Sequence, residues 1–154
     1  MPITMHENNN RFNCRTGAIL YNEDKTKIIL ENQENKRLVF PGGRIDIGEN
    51  SKEALERELK EELNIEVSSK LKFILELFLK KDDRYYHEVG FYYIAEIEES
   101  EIKDNLKSLD SNGSFNWFSI EELNYYDITA TPIKEKIINK KIPDNIEHII
   151  YKNY

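Results

Sequence analysis

The stretch GRIDIGENSKEALERELKEELNI, residues 43–65, decides how the rest of the chain is read. It holds six glutamates between Glu49 and Glu62. Glutamate favours helix, yet like charges one turn apart repel. Asn50 is a good N-cap, and Glu53 three residues later completes a capping-box pattern, so a helix over residues 50–63 is predicted. At about 3.6 residues per turn, Glu58, Glu61 and Glu62 stand at i, i+3 and i+4 and share a face. Leu55, Leu59 and Leu63 form the neighbouring stripe, suited to docking on a sheet. Arg57, Lys60 and Glu53 are expected to point elsewhere. Three carboxylates thus line the edge of the buried stripe. The ordinary reading of such a face is solvation. Solvated faces normally alternate sign at i, i+4, whereas the Glu58–Glu62 pair is like-charged and loses a few tenths of a kcal/mol. A divalent cation would remove that repulsion, and carboxylate oxygens suit Mg²⁺ or Mn²⁺.

Outward from the helix, the pattern is one of strands. LVF, residues 38–40, is a short strand running into Pro41-Gly42-Gly43, where glycines let the backbone bend and approach a ligand. RTGAILYNEDKTKIILEN, residues 15–32, reads as two strands with a turn at Asn22 to Lys25. After the helix, Leu71, Phe73, Leu75, Leu77 and Leu79 alternate with polar positions. Val89, Phe91, Tyr93, Ala95 and Ile97 do the same. These predict a long antiparallel hairpin with one buried face. Residues 99–114 are a polar connection, FNWFS (115–119) a last strand and IEEL (120–123) a short helix. Thr131 and Pro132 predict an N-cap and first turn opening a helix through about Asn139. PDNIEHIIYKN, residues 143–153, suggests a terminal helix packed by Ile146, Ile149 and Ile150. Residues 1–10 are polar and expected to fray. Strands with helices between and after them give an α/β layered domain.

The 154 residues suit one domain, 1–154, with a real core. No apolar run is long enough to span a bilayer, and the N-terminus lacks a signal-peptide core. A soluble cytoplasmic protein is the expectation. The net charge of −7 argues against a sequence-independent grip on DNA or RNA, which needs a basic face. Cys14 is the only cysteine, which excludes an intrachain disulfide and a cysteine-held zinc.

Gly43, Glu49, Arg57, Glu58, Leu59, Glu61, Glu62 and Ile65 together resemble the Nudix box. That box is a glycine, five residues, Glu, seven residues, then Arg-Glu-apolar-any-Glu-Glu-any-Gly-apolar. Phe40-Pro41-Gly42 is similar to the family's approach to the box. One position departs: Asn64 stands where the family has glycine. Asn is the usual second choice for a left-handed helix end, so the loop should keep its shape.

The resemblance implies a Nudix-type α/β/α sandwich with a mixed β-sheet. It implies a pyrophosphohydrolase that cleaves nucleoside diphosphate-linked compounds with Mg²⁺ or Mn²⁺. Glu58, Glu61 and Glu62, with the Gly42 carbonyl, are the implied metal ligands. Glu58, Arg57 and Glu61 are the implied catalytic set, with Arg57 orienting a box glutamate such as Glu49. Gly43 and Arg15 are candidate substrate contacts. A further acid from outside the box is expected, with Glu88, Glu96, Glu98 and Asp110 as candidates. His87 reads as structural. Tyr85, Tyr86, Tyr92 and Phe78 read as hairpin packing, with stacking on a base as the alternative. The proline common in ADP-ribose members is missing, as are the coenzyme A and NADH motifs. What remains is a nucleoside triphosphate or nucleotide sugar as the small-molecule partner, with no nucleic acid polymer and no membrane. A homodimer stays open. The alternative function is a non-catalytic nucleotide sensor; such domains usually lose box glutamates, and this chain keeps them.

Overall fold

The computed structural model describes residues 1–34 and 37–154. Long apolar runs become strands buried on both faces. β1 (Thr4–Glu7), β2 (Asn10–Tyr21), β3 (Lys27–Asn32), β4 (Leu38–Val39) and β5 (Gly42–Arg44) precede α1 (Ser51–Leu63). β6 (Lys70–Lys81), β7 (Arg84–Glu96), β8 (Leu106–Lys107) and β9 (Ser114–Ser119) follow, then α2 (Thr131–Ile138) and β10 (Glu147–Lys152). Short 3-10 segments occupy Glu99–Glu101 and Ile120–Tyr125.

The sheet runs β10-β6-β7-β2-β3-β9-β8, with β1 and β5 on β2 and β4 on β3. It is mixed: β10/β6 and β2/β7 are parallel, the other pairs antiparallel. One face carries Ala18, Leu20, Ile29, Tyr93 and Phe115 against Leu55, Leu59 and Leu63 of α1. The other packs Ile19, Ile28, Phe73, Leu75 and Tyr92 against Leu123, Ile133 and Ile137 of the second helical layer. The result is the α/β/α sandwich. Among the described residues, no helix is long and apolar enough to cross a membrane.

Four expectations are corrected. The N-terminus does not fray: Asn8 takes a left-handed turn and β1 pairs with β2 from Thr4↔Asn13 to Glu7↔Asn10. The β6–β7 hairpin is buried on both faces, because its pairing sets Leu75 opposite Gly90 and Phe73 opposite Tyr92, so Phe73, Leu75 and Leu77 join one core while Tyr93, Ala95 and Ile97 join the other. A bulge at Lys72 then puts Leu71 opposite Tyr93, which moves Leu71 off the Phe73 stripe. FNWFS is not the last strand, and residues 147–152 are not a helix. Ile146, Ile149 and Ile150 fit a helical stripe, but Glu147, Ile149 and Tyr151 also fit a period of two. The free edge of β6 takes the segment as parallel β10. The N-cap of α2 is Ala130, left-handed at φ 59°, with Thr131 already in the first turn.

Candidate active site

The site is assembled where β5 turns into α1. Asn50 caps the helix: its side chain accepts from the amides of Lys52 and Glu53, and the Glu53 carboxylate accepts from the Asn50 amide. Asn64 closes the other end at φ 54° and ψ 40°, left-handed as its place in the sequence predicts. These two caps fix which glutamates face the sheet.

Glu58, Glu61 and Glu62 sit in graded exposure. Glu62 is buried, Glu58 half-buried and Glu61 exposed. Arg57 does not point away, as helix geometry alone suggested. Its Nε and Nη2 donate to both Glu49 oxygens at 2.6 and 2.9 Å. Its Nη1 reaches Glu58 at 3.1 Å and Glu61 at 3.4 Å, and Nη2 also reaches the Arg44 carbonyl. The guanidinium therefore ties the loop before α1 to two carboxylates on the helix. Hydrogen bonds from Arg57, helped by the Asp46 amide, hold the Glu49 carboxyl down at about 2. Burial pushes Glu58 above the usual carboxylate range, with Arg57 opposing.

Both glycines before the helix sit where a Cβ would collide with a neighbour. Gly42 adopts φ 143°, and a Cβ there would overlap the Thr16 carbonyl on β2. A Cβ on Gly43 would overlap the Glu58 carboxylate itself. Among the described residues, Glu62 Oε2 is enclosed with no hydrogen-bond partner. Burial first, then the charges of Glu31 and Glu58, push the Glu62 carboxyl up to about 8.

Of the four acids considered outside the box, Asp110 comes to this cluster. Carboxylate oxygens of Glu58, Glu61 and Asp110 lie within 4.8 Å of one another. The loop that carries it is anchored: the Leu109 amide donates to the Glu62 carbonyl at 3.2 Å, and Ser111 Oγ to Glu31 at 3.1 Å. Nothing local in residues 108–113 marks Asp110 out; only the tertiary bond to the helix end does. Glu96 and Glu98 are exposed elsewhere. Glu88 is buried and lines an adjoining cleft of about 730 Å³, with Arg15, Asn13, Glu62, Gly42 and Gly43. His87 lies on the opposite sheet face, stacked on Phe78 at 4.2 Å. Tyr92 is core, while Tyr86 reaches the cleft.

A NUDIX domain model matches residues 12–140. The chain belongs to the Nudix family. As a member it is a pyrophosphohydrolase acting on a phosphoric anhydride. Solved structures share the fold. A mutator MutT protein from Bacillus halodurans is 21% identical with a TM-score of 0.72, over 91% of this chain and 89% of that one. A MutT Nudix hydrolase from Burkholderia pseudomallei is 22% identical with a TM-score of 0.63, over 82% and 98%. The E. coli dihydroneopterin triphosphate pyrophosphohydrolase is 10% identical with a TM-score of 0.64, over 84% and 94%. No curated protein matches this Nudix chain in sequence.

Proposed function

We propose that this Nudix chain, acting as a single domain over residues 1–154, is a Mg²⁺- or Mn²⁺-dependent hydrolase of a nucleoside triphosphate or a related nucleoside diphosphate-linked compound. The observation that carries this reading is the convergence of Glu58, Glu61 and Asp110, whose chain neighbours Glu62 and Ser111 line the cleft. Three carboxylates this close repel unless cations sit among them. The donor set is all oxygen, which fits a hard divalent ion. The orphaned Glu62 Oε2 fits the same need, since a buried acceptor without a donor is costly.

Glu58, Glu61, Glu62 and Asp110, with the Gly42 carbonyl, are the residues that would hold the ions. An ion there supplies charge neutralisation of the pyrophosphate and a more acidic bound water. The protein's own residues do the rest. Glu58 takes the proton from the attacking water as it adds to phosphorus and the bridging oxygen leaves. Arg57 is a positioning residue that holds Glu58 and Glu61 against Glu49. Gly43 leaves room for the Glu58 carboxylate. Arg15 binds substrate from the cleft wall. The partner is a small nucleotide in the cytoplasm rather than a nucleic acid polymer, consistent with a net charge of −7.

The test is a hydrolysis screen of the purified chain against nucleoside triphosphates and nucleotide sugars, with Mg²⁺ or Mn²⁺. Release of a nucleoside monophosphate from one class is the expected result. No turnover of any diphosphate compound, alongside measurable nucleotide binding, would favour a sensor instead.

A further inference from the structure

The far wall of the cleft carries polar groups that the metal chemistry leaves unused. The parallel register of β2 and β7 sets Asn13 beside Glu88 and Arg15 beside Gly90. Glu88 Oε2 accepts a short hydrogen bond from the Tyr86 hydroxyl and lies 3.5 Å from Asn13 Nδ2. Asn13 is fully engaged: Nδ2 donates to Tyr86 at 2.9 Å, and Oδ1 accepts from Thr4 and Arg11. These contacts fix the Glu88 carboxylate. Its Oε1 has no hydrogen-bond donor among the described residues and is not enclosed. Arg15 is under-used in the opposite sense. Among the described residues its Nη2 reaches only the Phe40 carbonyl, at 3.4 Å, and its Nη1 has no acceptor and is not enclosed. Among the described residues no ion pair joins it to a carboxylate. An acceptor and a donor, both short of partners, thus face one cleft.

We propose that Glu88 and Arg15 read the base of the substrate, and that this base carries the 2-amino-oxo edge found in guanine. The inference rests on the nucleotide-hydrolase reading above and adds the base. A second phosphate is a poor occupant, because Glu88 would repel it beside Arg15. A neutral edge with donors next to an acceptor suits both groups. Glu88 Oε1 is free and Oε2 keeps a second lone pair beside its Tyr86 bond, so the carboxylate can accept two parallel N–H donors. Among the four common bases, only guanine has two on adjacent atoms, N1–H and N2–H, followed by the O6 acceptor for Arg15. Adenine and cytosine set a ring nitrogen beside their single amino group, and uracil flanks its one imino group with two carbonyls. Each of these would turn an acceptor toward the Glu88 carboxylate. Pterins share the guanine edge, so a pterin triphosphate is the second source of the same chemistry.

Calorimetric binding of GMP, IMP and AMP to the full chain isolates the base without requiring turnover. GMP should bind about tenfold tighter than IMP, which lacks only the 2-amino group, and tighter than AMP. Glu88→Gln replaces one acceptor oxygen with an N–H donor. It should weaken GMP by about tenfold or more and close the gap between GMP and IMP. Arg15→Lys should weaken GMP and IMP alike, since both keep O6 and lose the planar fork. Neopterin monophosphate binding tighter than GMP would support the same edge and assign it to a pterin. If Glu88→Gln fails to fold, the wild-type comparison of GMP with IMP decides alone. Equal affinity of the wild type for GMP, IMP and AMP overturns the proposal. GMP selectivity without hydrolysis of any nucleotide would instead overturn the enzyme reading and leave the base reader standing.

Discussion

Gly43 and Glu58 occupy one space: a Cβ on residue 43 would overlap the Glu58 carboxylate. The overlapping atoms are the far end of a flexible side chain, so the fold can yield by moving Glu58. Gly43→Ala should therefore melt close to the wild type while turnover falls by about tenfold or more, as misplacement of a catalytic group implies. Paired thermal melts and steady-state rates check this. A large drop in melting temperature with unchanged rate per folded molecule would show that the glycine serves the backbone instead.

Glu58→Gln keeps the side chain's size and removes its charge. Turnover should fall by roughly a hundredfold or more, the scale of a lost general base. Folding should survive, since one of several clustered carboxylates is neutralised. Lys60→Gln is the control. Lys60 is exposed and 3.8 Å from the still more exposed Glu66, a pair worth little. Equal rates for Glu58→Gln and wild type at saturating Mg²⁺ would rule out a catalytic Glu58.

Asn64 holds the left-handed helix end with its backbone: its amide donates to the Lys60 carbonyl, and the Ile65 amide to Leu59. Glycine adopts that conformation without a Cβ penalty, so Asn64→Gly should stabilise the fold by up to about 1 kcal/mol. Urea denaturation midpoints would measure it. Clear destabilisation would reveal a role for the amide side chain.

The helix and both its caps were legible because their signals are local: Asn50, Glu53 and Asn64 act within a turn of their own positions. Helix periodicity put Glu58, Glu61 and Glu62 on one face; Glu58 and Glu61 stay together with Asp110, while Glu62 lines the cleft beside Glu31 and Arg15. Two things were not legible. Asp110 reaches Glu58 only because the Leu109 amide finds the Glu62 carbonyl, a contact no local pattern encodes. Arg57 is a middle case: helix geometry turned it away, the box resemblance paired it with Glu49, and the bidentate carboxylate outweighs the ideal direction of a helical side chain. Residues 147–152 satisfied two periods at once, and the unpaired edge of β6, not the pattern, decided for a strand.

Glu62 gives the site a pH signature. Burial, with Glu31 and Glu58 nearby, raises its carboxyl from 4.5 to about 8. A carboxyl raised in the folded state binds more protons there than in the unfolded chain between those values. Its contribution to stability is therefore full below pH 4.5 and lost as pH rises toward 8. Metal-free protein should lose stability over that window, and Glu62→Gln should flatten the slope. Mg²⁺ or Mn²⁺ binding needs the ionised carboxylate, so it should release protons near neutral pH and strengthen as pH approaches 8. Denaturation series from pH 5 to 8, with chelator or with Mg²⁺, test both halves. Parallel slopes for wild type and Glu62→Gln without metal would show that Glu62 stays ionised throughout, and its enclosed oxygen would then need another partner.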